Sequence, residues 1–108
     1  PASTPMQLIG AINKNLPAAV RSEMGAPRLE NRTGTFADSV KVTSVMQPSA
    51  GLPAIEYTYQ KDPYEVFEMG RGNKSWATPE RDPRNVIEMS IRKAAAELAV
   101  NKFMLRRV

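Results

Sequence analysis

The sequence predicts an α+β fold in which two long helices flank an antiparallel β-hairpin or small sheet. Apolar residues recur at helical spacing near both ends of the chain, as they do in amphipathic helices. Between these regions, two short runs alternate apolar and polar residues, which is typical of half-buried strands. A chain of 108 residues has the commonest size of one domain, so we expect residues 1–108 to share a single core.

The N-terminal helix is predicted to begin near Pro5, after a flexible arm of residues 1–4. Pro5 suits the first helical position, and Thr4 forms a capping box with Gln7. Pro17 interrupts the apolar pattern that follows. Because proline removes one backbone hydrogen bond and disfavours helix at the preceding residue, we expect a kink or a restart near Pro17.

A turn-forming segment joins this helix to the predicted hairpin. Gly34 tolerates positive φ, as a sharp turn requires. In the strand predicted from Val40 to Met46, Val40 and Val42 share one face. A second alternating run extends from Ala54 to Tyr59. Because two strands alone are marginal in water, a helix or a neighbouring chain must cover their apolar face.

The last helix is predicted to begin at Asp82 and Pro83, a good cap followed by a pre-set first turn. It is expected to pack on the sheet through five apolar residues: Ile87, Ile91, Ala94, Ala95 and Leu98. Four charged residues should point outward: Arg84, Glu88, Arg92 and Lys93. Beyond Val100 the helical phase is lost. Residues 101–108 either fold back or dock on a partner, and we favour docking.

The composition excludes several classes of site. The chain has no cysteine and no histidine, so disulfides, thiol catalysis and metal sites built on thiolate or imidazole are excluded. The commonest general base near neutral pH is missing as well. No stretch approaches the roughly 20 apolar residues of a membrane-spanning helix. We therefore expect no cofactor, no metal and no membrane contact.

Carboxylate pairs are the remaining catalytic option. Glu65 lies three positions from Glu68, and Glu80 lies two positions from Asp82. Hydrolytic carboxylates need a cleft that raises one pKa and lowers the other, and a small sheet with two helices suggests none. We expect Glu68 to pair with a neighbouring arginine and Asp82 to cap the last helix. The protein is therefore interpreted as non-enzymatic.

The charge balance leaves two kinds of partner open. Fifteen Lys and Arg residues against eleven Asp and Glu residues give a net charge of +4. A mixed surface that meets other proteins explains this balance. The alternative is a small basic nucleic-acid-binding module, whose affinity would fall steeply with salt. Five residues would then contact phosphates: Arg71, Lys74, Lys102, Arg106 and Arg107.

Three short motifs follow one another along the chain. They are Arg32-Thr33-Gly34-Thr35-Phe36-Ala37-Asp38-Ser39-Val40, Tyr64-Glu65-Val66-Phe67-Glu68-Met69-Gly70 and Arg81-Asp82-Pro83-Arg84. Their order and spacing, over about residues 29–98, resemble the tail-completion or head–tail joining (neck) proteins of tailed bacteriophages. Nine residues of the first two motifs carry most of this resemblance: Arg32, Thr33, Gly34, Phe36, Ser39, Tyr64, Phe67, Glu68 and Gly70. Phe67 is expected in the core, where its replacement by alanine should unfold the domain.

The resemblance implies a structural protein of the virion, assembled in the host cytoplasm. It implies oligomerisation into a ring and contacts with neighbouring connector or tail proteins, with nucleic acid as a non-specific contact only. The hairpin edge, the loop after Gly70 and the C-terminal tail suit such contacts. Tail terminator, stopper, neck and collar positions, and a domain of a longer connector, all remain open. Seven residues are the candidate interface: Arg71, Lys74, Trp76, Phe103, Leu105, Arg106 and Arg107.

Overall fold

The computed structural model describes residues 5–25, 34–46, 51–70, 78–98 and 102–108. These ranges contain four helices, namely α1 (Pro5–Glu23), α2 (Thr35–Ser39), α3 (Lys61–Tyr64) and α4 (Pro83–Glu97). They also contain three strands, β1 (Lys41–Met46), β2 (Ala54–Thr58) and β3 (Met104–Arg107). Single turns of 3₁₀ helix span Glu65–Phe67 and Pro79–Arg81. The predicted α+β class is confirmed, with two long helices, α1 and α4, and a small sheet whose last strand follows α4.

Helix α1 is one continuous element that contains Pro17. This continuity excludes a restart near Pro17, whereas the alternative expectation, a kink there, stays a prediction. Leu16 and Val20, before and after the proline, are both fully buried. Their burial holds the two halves of α1 against the same core, which offsets the loss of one backbone hydrogen bond.

The sheet has the strand order β1-β2-β3, with β2 in the centre. Strands β1 and β2 are antiparallel, so the predicted hairpin pairing is confirmed. Strand β3 lies parallel to β2 on its other side, and the sequence did not predict it. A parallel neighbour needs a long crossover, and here the connection from β2 to β3 contains α4. The C-terminal tail thus folds back on the domain, and its contact with a partner stays a prediction.

One core lies between the sheet and the two long helices. Helix α1 packs on β1 and on α4. The inward sheet residues Val42, Ile55 and Tyr57 are buried together with Ile12 of α1 and Ile91 of α4. Both long helices therefore lie on one side of the sheet, and the domain has two layers.

Helix α4 begins as the sequence predicts, and its buried stripe is wider than expected. The Asp82 side chain accepts a hydrogen bond from the Arg84 N–H, and Pro83 occupies the first turn. Val86 and Ser90 are buried beside the predicted apolar residues. Glu88, predicted to point outward, is half-buried because its carboxylate accepts a hydrogen bond of 2.7 Å from the Tyr57 hydroxyl of β2.

Candidate assembly surface

The first two sequence motifs meet in one aromatic cluster. Gly34, at φ 79°, precedes α2 and lets the chain turn into it. The buried ring of Phe36 makes edge-on contacts with Tyr64 and Tyr59, at centroid distances of 4.9 and 5.6 Å. Edge-to-face packing of this kind adds stability beyond burial alone. The motif residues therefore join α2 to the segments that follow β2.

Ser39 makes a second joint between the same segments. Its Oγ donates to the Phe36 carbonyl at 2.6 Å and accepts from the Gln60 N–H at 3.0 Å. The hydroxyl thus closes the end of α2 and ties it to the residue before α3. Because the hydroxyl both donates and accepts a hydrogen bond within the chain, we assign Ser39 a structural role.

Glu68 is a buried carboxylate at the centre of an ionic cluster. Its side chain accepts from the Tyr59 hydroxyl at 2.6 Å and from Arg107 Nη2 at 2.7 Å. Glu68 is only 1% exposed. The predicted pairing of Glu68 with an arginine is confirmed, and the arginine comes from β3.

The surroundings of this cluster fix the protonation of two of its members. Burial, followed by the hydrogen bond to Glu68, raises the pKa of the Tyr59 phenol above its usual range. The hydrogen bond to Glu68 also raises the pKa of Arg107. Tyr59 therefore stays a neutral donor and Arg107 a cation at physiological pH. The cluster anchors β3 to the segment after α3.

Asp82 forms a second polar joint, at the start of α4. Its carboxylate accepts from the Met69 N–H at 3.0 Å and from the Arg84 N–H at 2.9 Å. Arg84 Nη2 also donates to it, at 2.8 Å. Burial alone would raise the pKa of Asp82, but the hydrogen bonds from Arg84 and Met69 outweigh it, so the pKa is lowered. The predicted capping role is confirmed, and Asp82 also fixes the segment that contains Glu68.

The outer face of the sheet, which the helices do not cover, carries exposed apolar residues. Met46, Ala54 and Met104 lie side by side across the three strands. Met46 is 54% exposed and Met104 is 60% exposed. Leu52, just before β2, is also exposed. We call Met46, Leu52, Ala54 and Met104 the outer apolar row.

A β-bulge places Met46 in this row. Strict alternation from Val42 would direct Met46 toward the core. The register shifts between Val42 and Ser44, so Thr43 is an additional residue on β1. Beyond the shift, Val45 packs on the core and Met46 is exposed. Periodicity alone could not have predicted this, because a bulge leaves no reliable mark in a single sequence.

The edge of β1 that does not pair with β2 is covered by a side chain from α1. Asn13 Oδ1 accepts from the Val42 N–H at 2.7 Å, and Asn13 Nδ2 donates to the Val42 carbonyl at 2.9 Å. The carboxamide thus pairs with Val42 as a peptide group of a neighbouring strand would. Sequence reasoning missed Asn13, which a polar position within an apolar helical pattern could have indicated.

A comparison with protein families identifies the family of the chain. The family model described as bacteriophage T5 tail completion protein p143 matches residues 4–107. The chain belongs to this family. The resemblance inferred from the three motifs is therefore confirmed at the level of phage tail completion. Neither the comparison with curated proteins nor the comparison with solved structures found a match.

The predicted interface residues that the structure describes differ in their exposure to solvent. Phe103 and Leu105 are half-buried against the core, and Arg106 is exposed, 3.8 Å from Glu56. Arg107 points inward to Glu68, with its side chain 20% exposed. It is therefore engaged within the chain. Five motif or interface residues lie outside the described residues: Arg32, Thr33, Arg71, Lys74 and Trp76.

The other residues of the second motif shape the segment between α3 and α4. Tyr64 and Phe67 are half-buried and pack against the core. Phe67 was expected inside the core, so its burial is less complete than the sequence suggested. Gly70 adopts φ 88°, a conformation that favours glycine. These residues position Glu68 for its contact with β3.

An open cleft lies beside α4. It has a volume of about 340 Å³, and its lining includes Glu80, Glu88 and Arg92. Glu88 is already bonded to Tyr57 and lies 3.9 Å from Arg92. Across the described ranges, no group of three acidic residues could hold a metal ion. Buried side-chain polar atoms in those same ranges all have hydrogen-bond partners.

In the part of the chain that the structure describes, no helix combines the length and apolar content needed to cross a membrane.

Proposed function

We propose that this chain is a structural protein of a tailed-phage virion that oligomerises into a ring at the head–tail joining region. There it contacts neighbouring connector or tail proteins after assembly in the host cytoplasm. Membership of the tail completion family supports a role in completing the phage tail. The protein acts by binding and not by catalysis, since its buried carboxylates are engaged as structural anchors.

The observation that carries this proposal is the uncovered outer face of the sheet. Both long helices lie on the opposite face, so the outer apolar row meets solvent in the single chain. Contiguous exposed apolar surface marks contact sites on soluble proteins. We propose that this face packs against the next copy of the chain. A ring requires such a heterologous contact, in which two different surfaces of the same chain meet.

Charged residues border the outer apolar row and orient the neighbouring copy on this face. Glu56 and Arg106 occupy the next cross-strand row, together with Ser44. The two charged groups are 3.8 Å apart, too far for a tight ion pair, so each retains capacity for a partner. An apolar centre with a charged margin is the usual composition of a protein–protein interface.

The nucleic-acid alternative loses support from the described contacts. Arg107 is bound to the buried carboxylate of Glu68. One of the five proposed phosphate contacts is thus already engaged within the chain by a carboxylate, which would repel a phosphate. This arrangement favours a protein partner over nucleic acid.

The mass of the purified chain in solution tests the proposal. Light scattering across a concentration series, at low and at moderate salt, should yield a closed oligomer of defined mass. The oligomer should persist in moderate salt, because apolar contacts are not screened, whereas phosphate-driven binding would weaken steeply. A chain that stays monomeric at the highest concentration would contradict self-assembly of this protein alone.

A further inference from the structure

The two edges of the sheet are not equivalent. At the β1 edge, the carboxamide of Asn13 occupies both backbone groups of Val42, and a bulge interrupts the strand directly after it. Bulges and covering side chains are devices that prevent pairing at a strand edge. Another strand therefore cannot extend the sheet along β1 without displacing Asn13.

The β3 edge has the opposite character. On the side of β2, Met104 N donates to the Pro53 carbonyl at 2.8 Å and Val108 N to the Tyr57 carbonyl at 2.9 Å. Backbone groups of alternate residues point to opposite sides of a strand in a parallel ladder. The N–H and C=O groups of Leu105 and Arg107 consequently point away from β2. Among the described residues, no further strand lies on that side.

We propose that the outer edge of β3 receives an extended segment of a different protein, which adds to the sheet as a strand and alternates acidic with apolar side chains. This inference rests on the proposed function, because the donor would be a neighbouring connector or tail protein. Strand addition derives affinity from main-chain hydrogen bonds and specificity from alternate side chains. The chemistry of β3 defines both kinds of position.

A second copy of the chain does not fit this edge. Extension from β3 of one copy to β1 of the next is blocked by Asn13. Pairing of β3 with β3 of another copy would bring the exposed cations Lys102 and Arg106 of one copy close to those of the other. Residues 102–108 themselves contain no acidic residue to offset them. Like charges placed opposite one another across a strand pair are destabilising.

The side chains of β3 specify what an added strand would carry. Arg106 lies on the outer face of the sheet, with its side chain 74% exposed. A residue beside it on an added strand would meet a cation, which favours a carboxylate. Leu105 is half-buried and faces the core side, so its neighbour would be apolar. An acidic residue beside Arg106 and an apolar residue beside Leu105, at alternating positions of an added strand, therefore complement β3.

Two capped hexapeptides of equal length test this inference, one alternating Glu and Val and one alternating Lys and Val. Amide hydrogen exchange is measured on the full chain at increasing peptide concentration. The Glu-Val peptide should slow exchange at Leu105 and Arg107 by at least about tenfold, since a paired amide exchanges only when the added strand opens. The Lys-Val peptide should leave both amides unchanged, and the amides of β1 should not respond to either peptide.

Charge reversal provides the matched control. Arg106→Glu should transfer the protection from the Glu-Val to the Lys-Val peptide. Arg92→Glu makes the same change on α4, at a side chain 61% exposed, and should keep the preference for Glu-Val. Thermal melting of both variants checks that the fold is retained. Equal protection by both peptides, protection by neither, or a preference that Arg106→Glu leaves unchanged would overturn the inference.

Two different measurements separate this inference from the proposed function. The mass measured without peptide reports ring formation, whereas the exchange of Leu105 and Arg107 reports the β3 edge. A ring whose β3 amides still respond to the Glu-Val peptide supports both. A ring without that response overturns the edge inference alone. Protection that rises with chain concentration in the absence of peptide also overturns it, because a second copy would then cover the edge.

Discussion

At the scale of single residues, a few buried polar groups hold the chain segments together. Glu68 joins Tyr59 of the segment after β2 to Arg107 of β3, and Asp82 joins Met69 to the start of α4. A buried charge is stable only when it is paired and hydrogen-bonded. Removing one member of such a cluster leaves its partner buried and unpaired. The loss of stability is therefore larger than the net contribution of the pair to the free energy of folding.

Replacement of Glu68 tests the anchor of β3. Glu68→Ala leaves the Arg107 guanidinium and the Tyr59 hydroxyl without their partner, so the free energy of unfolding should fall by about 3 to 5 kcal/mol. Glu68→Gln keeps one of the two acceptor oxygens and should cost less. The control is Glu65→Gln, since Glu65 lies 3.8 Å from Arg107 and is less buried. Urea unfolding measures all three, and a Glu68→Ala variant as stable as the control would refute the anchor.

Asp82 should make stability depend on acidic pH. Its pKa in the folded chain is lowered from 3.8, so its contribution is complete above the unfolded pKa and is lost as pH falls through the folded pKa. Asp82→Asn keeps a capping side chain but removes the charge. The difference in unfolding free energy between the original chain and this variant should be constant from neutral pH to about pH 5 and should shrink below about pH 4. Denaturant titrations at each pH measure it, and a difference that grows on acidification would contradict the assignment.

Phe67 illustrates how far residue type predicts burial. An aromatic residue in a short motif was expected at the centre of the core, yet Phe36, Tyr57 and Tyr59 occupy that place and Phe67 is half-buried. Phe67 lies on a single turn of 3₁₀ helix that covers the core from one side. The loss from Phe67→Ala is therefore expected below the 3 to 5 kcal/mol or so of a fully buried aromatic residue.

At the scale of elements, the contact between α1 and β1 determines which sheet edge is open. Asn13 pairs with Val42 as a strand would, so α1 both covers the core and closes an edge. This dual role explains why an asparagine lies on the half-buried side of an otherwise apolar helix face.

Asn13→Ala tests the closure of the β1 edge. The variant leaves the partly buried Val42 N–H and C=O groups unpaired, so the free energy of unfolding should fall by about 1 to 2 kcal/mol. Exchange of the Val42 amide should accelerate with it. Asn15→Ala provides the matched control, because Asn15 is exposed on the same helix. Equal stability and equal Val42 exchange in the two variants would show that the side chain of Asn13 does not close the edge.

The elements predicted from sequence are those with a local signature. The capping residues of α4 and the alternation of β2 identified both elements correctly. The bulge in β1 and the parallel pairing of β3 were missed, because each depends on a distant partner. A strand of four residues next to a helix that has just lost its apolar phase carries too short a pattern to be recognised.

At the scale of the whole molecule, the described residues form two layers, and the two long helices cover only one face of the sheet. The family assignment rests on residues 4–107, and the sequence motifs had indicated it correctly. The candidate site was predicted less completely. The motif residues that the structure describes are internal joints, whereas the outer apolar row includes Met46 and Met104, which no motif contains. Exposed residues at an interface follow the partner's surface, which the chain's own periodicity does not record.

The most direct test of the central claim is the assembly mass of Met46→Asp compared with Met6→Asp. Met46 belongs to the outer apolar row, whereas Met6 is 83% exposed on α1 and lies outside the sheet. Both variants should melt like the original chain, since neither side chain is in the core. Light scattering should then find that Met6→Asp forms the same closed oligomer as the original chain and that Met46→Asp stays a monomer. An oligomer of unchanged mass from Met46→Asp would contradict the claim that the uncovered face of the sheet is the assembly surface.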